Sequence, residues 1–210
     1  MNLQEQYVAF MTIVRKEIKR YLRIWTQTLL PSAITMSLYF VIFGTLIGSR
    51  IGEMGGFTYM EFVVPGLIMM AIVTNSYSNV VSSFFGAKFS GSVEELLVSP
   101  VSNVVILMGY VVGGVSRGLL VAVVVTLVSL FFTDLTIHSY FIVVVVVLMT
   151  STLFALAGFI NAVYANSFDD MSIIPTFVLT QLIYLRGVFY SMDLLPEFWA
   201  NVSKLNPLVY

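Results

Sequence analysis

Residues 84–103 read Phe-Phe-Gly-Ala-Lys-Phe-Ser-Gly-Ser-Val-Glu-Glu-Leu-Leu-Val-Ser-Pro-Val-Ser-Asn and form a short polar interruption between two long apolar blocks. The stretch holds one lysine, an adjacent pair of acids and a ridge of Val93, Leu96, Leu97 and Val98. A loop that only turned the chain would not need that ridge. The pattern predicts a short helix along a membrane surface, offered to a soluble partner.

The blocks on either side explain why a membrane is invoked. The 210 residues are 59% hydrophobic and 10% charged, with a mean hydropathy of +0.96, far from the balance of a water-soluble domain. Five apolar blocks, at about 29–48, 62–86, 103–132, 138–165 and 172–191, each approach or exceed the roughly 20 residues that cross a bilayer as a helix. Unpaired backbone amides are costly in lipid, so the blocks are expected to be helical. Pro31 falls in a first turn, where its missing amide proton costs little. The net charge of −1 gives no basic excess for nucleic acid, and the absence of cysteine excludes disulfides and thiolate metal sites. A polar, helix-forming segment precedes the first block, which argues against a cleaved signal peptide.

That segment, 7–25, places Met11, Val14, Ile18, Tyr21, Leu22 and Trp25 at helical spacing, with Arg15, Lys16, Lys19, Arg20 and Arg23 on the other side. It reads as a basic amphipathic helix lying in the headgroup layer against anionic lipid, or as a helix continuing into the first span. With a cytoplasmic N-terminus, Arg15, Lys16, Lys19, Arg20, Arg23 and Lys88 all fall on inner loops, and only Arg50 and Lys204 on outer ones. The positive-inside rule then puts 84–103 in the cytoplasm, together with the 165–172 turn and its Asp169 and Asp170.

Two spans carry polar faces. Asn75, Ser78, Asn79, Ser82 and Gly86 recur every three or four residues on the second, as do Thr176, Thr180, Gln181 and Tyr184 on the fifth. Such faces either line a path for an amphiphilic substrate or hydrogen-bond neighbouring helices. On the third span Gly109, Gly113, Gly114 and Gly118 permit close helix approach. Arg117 lies among them and must face protein or water, with Asn161 or the polar face of the second span as its partner.

No enzyme constellation emerges. His138, the sole histidine, borders an outer loop beside Asp134, where an interface role outweighs that of a base or ligand. A Walker-type Gly-x-x-x-x-Gly-Lys-Ser/Thr is missing, so any ATP engine must come from a partner. Leu194–Leu205 is amphipathic, with Trp199 at interfacial level and Asn206-Pro207 after it, and is expected to dip into the outer leaflet.

The order of these elements, with Gly187-Val-Phe-Tyr-Ser, Leu195-Pro196, Phe198-Trp199 and Leu205-Asn-Pro-Leu, resembles the membrane-spanning subunit of ABC type-2 exporters, closest to the small bacterial permeases. The likeness covers essentially the whole chain, including Gly-Ser-Val-Glu-Glu-Leu-Leu-Val-Ser-Pro at 91–100. It implies an all-α integral membrane protein, a polytopic helix bundle forming a single transmembrane domain over 1–210. Within it the family pattern gives an amphipathic connecting helix (7–25), a cytoplasmic coupling helix (87–102) and a re-entrant outer helix (192–207). The coupling helix would dock in a groove of the ATPase through Val93, Glu94, Glu95, Leu96 and Leu97. Asn75, Asn79, Ser82, Thr176 and Thr180 would face the translocation path at a dimer interface.

By the same resemblance, this chain binds no cofactor, ATP and Mg belonging to the partner ATPase. The partners implied are that ATPase, a second permease copy and membrane lipid, with no nucleic acid, in the bacterial inner membrane. Gln181 and Arg186 stand where relatives carry proline or small residues. The family has a sixth span and the five blocks end at Tyr210, so an N-terminal fragment is expected. Two rivals remain at this level. An ion-coupled secondary transporter predicts intramembrane acids and an inverted repeat, neither of which is clear. A non-transporting membrane scaffold would use the polar faces for packing alone.

Overall fold

The computed structural model describes residues 2–54, 56–133, 139–185 and 188, and these form a bundle of helices with one minimal hairpin. Helix α1 spans Leu3–Arg23, and α2 (Trp25–Thr28), α3 (Leu30–Tyr39), a π-helical segment (Phe40–Ile47) and α4 (Gly48–Ile51) follow almost without interruption. The strands β1 (Glu53–Met54) and β2 (Phe57–Thr58) pair antiparallel before the long α5 (Tyr59–Phe89). Then come α6 (Ser92–Val98), α7 (Asn103–Ser129) and α8 (Tyr140–Tyr164). Helix α9 (Phe168–Ile173), a π-helical turn (Ile174–Leu179) and α10 (Thr180–Leu185) complete the order.

Among the described residues, four helices are long and apolar enough to cross a bilayer: Trp25–Ile51, Tyr59–Phe89, Asn103–Ser129 and Tyr140–Tyr164. They correspond to the first four expected spans. Of the fifth, residues up to Leu185 are helical, while Arg186, the rest of that block and the expected outer helix at 192–207 lie outside the described residues. His138 and Asp134 lie outside them too.

Local chemistry sets several boundaries. At the start of α5, the Glu61 amide donates to Thr58 Oγ1 (3.4 Å) and the Thr58 amide donates to Glu61 Oε2 (2.9 Å), a reciprocal cap that begins the helix earlier than hydropathy alone suggests. Ile24, at φ −108° and ψ 36°, breaks the first helix, and Thr28 Oγ1 folds back to donate to the Tyr21 carbonyl at 3.0 Å. That break separates α1 from the membrane-crossing run.

Helix α5 is the hub. It packs against both α7 and α8, and its buried side chains include Val63, Val64, Leu67, Tyr77, Val80 and Phe85. The glycines of α7 divide their work between two neighbours. A Cβ at Gly109 or Gly113 would meet Ile13 or Glu17 of α1 at 2.6 Å, whereas one at Gly114 would meet Val80 of α5 at 2.5 Å and one at Gly118 would collide with Ser76. On α8, a Cβ at Gly158 would stand 2.6 Å from the Tyr77 carbonyl oxygen. Small residues are thus what bring these backbones together, as is usual where lipid offers no hydrophobic drive for helix association.

The contacts of α1 set its direction within the bundle. Gln6 meets Ser102, Ile13 meets Gly109, Glu17 meets Gly113 and Tyr21 meets Ser116, so the two chains advance together. Helix α1 therefore runs parallel to α7, along the bundle instead of across its end. The physical reason is the glycine seam, which lets α1 bury Ile13, Val14, Glu17 and Tyr21. Arg15, Lys16, Lys19 and Arg23 remain exposed on its other side, as the sequence pattern predicts.

Candidate functional site

Two features stand out, a short helix at one end of the bundle and a polar network buried behind it. The short helix is α6. Gly91 initiates it at φ +75°, a left-handed conformation that side chains with a Cβ rarely adopt, and Ser99, extended before Pro100, ends it. Helix α5 runs on to Phe89, so α6 occupies Ser92–Val98 and not the whole of 87–102.

Its ridge is split. Val93 is 7% exposed and sits in the core, and Leu96 packs partly against the core. Glu94, Glu95, Leu97 and Val98 are solvent-exposed, Val98 at 88%. Val93 and, in part, Leu96 thus anchor the helix, while two acids and two apolar side chains stay exposed. Beneath it, Lys88 Nζ donates to the carbonyls of Val163 (2.8 Å) and Ala165 (2.7 Å), tying the end of α5 to the C-terminal turn of α8.

Phe168, which opens α9, stacks edge-on against Phe85 with 5.0 Å between ring centroids, so α9 lies at this same end. The Asp170 carboxyl caps α9. Hydrogen bonds from the Asn166 amide and the Ser167 side chain hold its pKa below the ordinary value of 3.8.

The polar network lies between α1, α5 and α7. Ser83 Oγ donates to Glu17 Oε1 at 2.6 Å, and Glu17 Oε2 is 3.4 Å from Arg20 Nη2. The same guanidinium nitrogen donates to the carbonyl and Oδ1 of Asn79, both at 2.9 Å. One turn further along α5, Arg117 Nη2 donates to Asn75 Oδ1 at 2.9 Å, and Asn75 Nδ2 donates to Ser32 Oγ at 3.1 Å. The Glu17 side chain is wholly buried, and Arg117 is 9% exposed. Arg117 Nε, Asn79 Nδ2 and Ser76 Oγ are buried and reach no hydrogen-bond partner among the described residues. Breaking any link in so buried a network leaves a charged or amide group without its partner.

The expected site residues therefore separate. Asn75 and Asn79 face the interior of the chain in this conformation, engaged by Arg117 and Arg20. Ser82 and Thr176 are exposed, as is Gln181, and Thr180, partly buried, bonds the Pro175 carbonyl at 3.0 Å. Arg20, read as part of the basic membrane face, instead turns inward. Asn161, one candidate partner for Arg117, donates to Tyr77 Oη (2.7 Å) and the Met171 carbonyl (3.1 Å).

Glu17 is the residue the sequence reading passed over. Its signal was an acid set at helical spacing within the stripe Ile13, Val14 and Tyr21. No group of His, Cys, Asp and Glu able to hold a metal occurs among the described residues. Hydroxyl, amide, guanidinium and carboxyl groups arranged in this way can fix helix positions.

The chain matches the family model described as ABC-2 type transporter over residues 8–210. It is similar to the inner membrane transport permease YadH of Escherichia coli (strain K12), at 60% identity over 204 residues, covering 97% of this chain and 80% of that relative. It is also similar to nodulation protein J of Sinorhizobium fredii, at 23% identity over 175 residues, covering 83% of this chain and 66% of that protein. No solved structure matches it.

Proposed function

Because the chain belongs to the ABC-2 type transporter family, we propose that it is the permease subunit of an ATP-driven exporter in a bacterial inner membrane, with its N-terminus in the cytoplasm. It moves a lipid-linked, polysaccharide or drug-like molecule outward by alternating access. ATP and Mg are held by a separate ATPase, in keeping with a sequence that has no Walker motif.

The observation that carries this reading is α6. A helix anchored by Val93 and in part by Leu96, with Glu94, Glu95, Leu97 and Val98 exposed, is a docking surface that the chain leaves uncovered. Force applied there reaches α8 through Lys88 and reaches α5 through the Gly91 turn. A dimer supplies the rest. Ser82, Thr176 and Gln181 are exposed on the protomer, and polar groups in or beside membrane-crossing segments favour protein or water over lipid. A second copy packed on these faces would enclose a path.

Charge reversal at Glu94→Lys with Glu95→Lys tests the assignment. The doubly substituted permease is expected to lose co-purification with its ATPase and to lose substrate-stimulated ATP hydrolysis, while keeping its own fold. Undiminished co-purification and stimulation would refute it.

A further inference from the structure

Between α6 and the ends of α5, α7 and α8 lies a cavity of about 550 Å³, within the range of ligand pockets. Its floor is apolar, made by Phe84, Ile106, Leu107, Phe159 and Val163. Val93 and Leu97 of α6 form its roof. The polar groups are confined to Lys88, Glu94 and Asn103. A site that is greasy over most of its lining and charged in one place fits an amphiphile.

We propose that this cavity holds a phospholipid, one acyl chain lying among α5, α7 and α8 and the phosphate resting between Lys88 and the first turn of α7. Lys88 uses two of its three ammonium protons on the carbonyls of Val163 and Ala165, which leaves the third for an anion. Helix α7 begins at Asn103, in the cavity lining, and its N-cap Ser102 makes no side-chain hydrogen bond to the turn. The amides of that turn and the positive end of a 27-residue helix therefore add to the attraction of Lys88 for phosphate. Glu94 lies in the same lining and disfavours a headgroup with a second negative charge, so a zwitterionic headgroup carrying an ammonium is the best match.

The surroundings choose lipid over a polypeptide. Val104, Met108, Ile160, Val163 and Tyr164 are exposed on α7 and α8, two of the membrane-crossing helices, so the cavity continues a surface that already faces acyl chains. Occupancy would also matter mechanically. With the acyl chain in place Leu97 gains an apolar floor, and α6 is held from below by more than Val93 and Leu96.

The test uses the full-length permease reconstituted in vesicles of phosphatidylethanolamine and phosphatidylglycerol, then extracted and weighed intact by native mass spectrometry. The account expects one phospholipid per protomer to survive stripping, with phosphatidylethanolamine preferred. Leu107→Trp combined with Val163→Phe fills the cavity and should abolish retention. Lys88→Gln should weaken it about tenfold, as expected for loss of one hydrogen bond to a charged group.

In an otherwise unaltered chain, a diazirine amino acid at position 107 should capture lipid mass, which keeps the test independent of whether the filled variant folds. Equal retention by native and filled proteins, or capture of the ATPase in place of lipid, would overturn the proposal.

Discussion

The Glu17 carboxyl lies in the seam between α1, α5 and α7, where Ser83 and Arg20 answer it among the described residues. Taking it away leaves the Arg20 guanidinium in a partly buried position with Asn79 as its remaining partner among the described residues. Glu17→Leu should therefore cost about 1.5–3 kcal/mol, the usual range for a hydrogen bond to a charged group. Adding Arg20→Leu should restore more than half of that loss, since a matched apolar pair is often no worse than a buried ion pair. Thermal unfolding of the two single variants and the double variant in detergent measures this directly. A double variant as unstable as the sum of the singles would show that the two side chains act separately. Glu17 also shows the limit of what the sequence made legible. Its helical spacing among Ile13, Val14 and Tyr21 was visible, but its hydroxyl partner on α5, Ser83, lies 66 residues away, and no pattern within one helix reports such a meeting.

At the scale of elements, hydropathy located four helices long and apolar enough to cross a bilayer, because lipid demands long helices, and the structure moves their ends by only a few residues. The shifts have local causes, such as the Thr58–Glu61 cap that starts α5 and the Gly91 turn that confines α6 to Ser92–Val98. The glycines of α7 were legible as packing residues, but their division between α1 and α5 was not, because it depends on which helix lies on which side. Nor was the glycine-matched face that sets α1 along α7 visible from the basic and apolar pattern of 7–25. Close approach can be tested at α8. Gly158→Ala pushes a methyl against the Tyr77 backbone and should destabilise the protein by about 1–3 kcal/mol, in line with overpacking elsewhere. Gly86→Ala meets nothing within 4 Å and should stabilise α5 by about 0.5–1 kcal/mol through helix propensity. Melting curves that place both variants on the same side of the native protein would contradict the packing described.

For the whole molecule, the central claim is that an ATPase engages α6 and that movement enters the bundle there. The polar residues read as a path fall into two groups. Asn75 and Asn79 belong to the network that fixes α1, α3 and α7 on α5, whereas Ser82 and Thr176 stay on the outside of the protomer. That division fits a permease whose moving parts are held together inside each copy and whose path is completed between copies. The chain contains no cysteine, so a single introduced thiol reports on one place only. The most direct measurement carries a thiol-linked photocrosslinker at Leu97→Cys or Val98→Cys, both exposed on α6, in the assembled, ATP-hydrolysing complex. The same reagent at Phe131→Cys, exposed just beyond the other end of α7, serves as the control. The account predicts adducts with the ATPase from positions 97 and 98 and none from 131; an active complex that yields no ATPase adduct from α6 would contradict it.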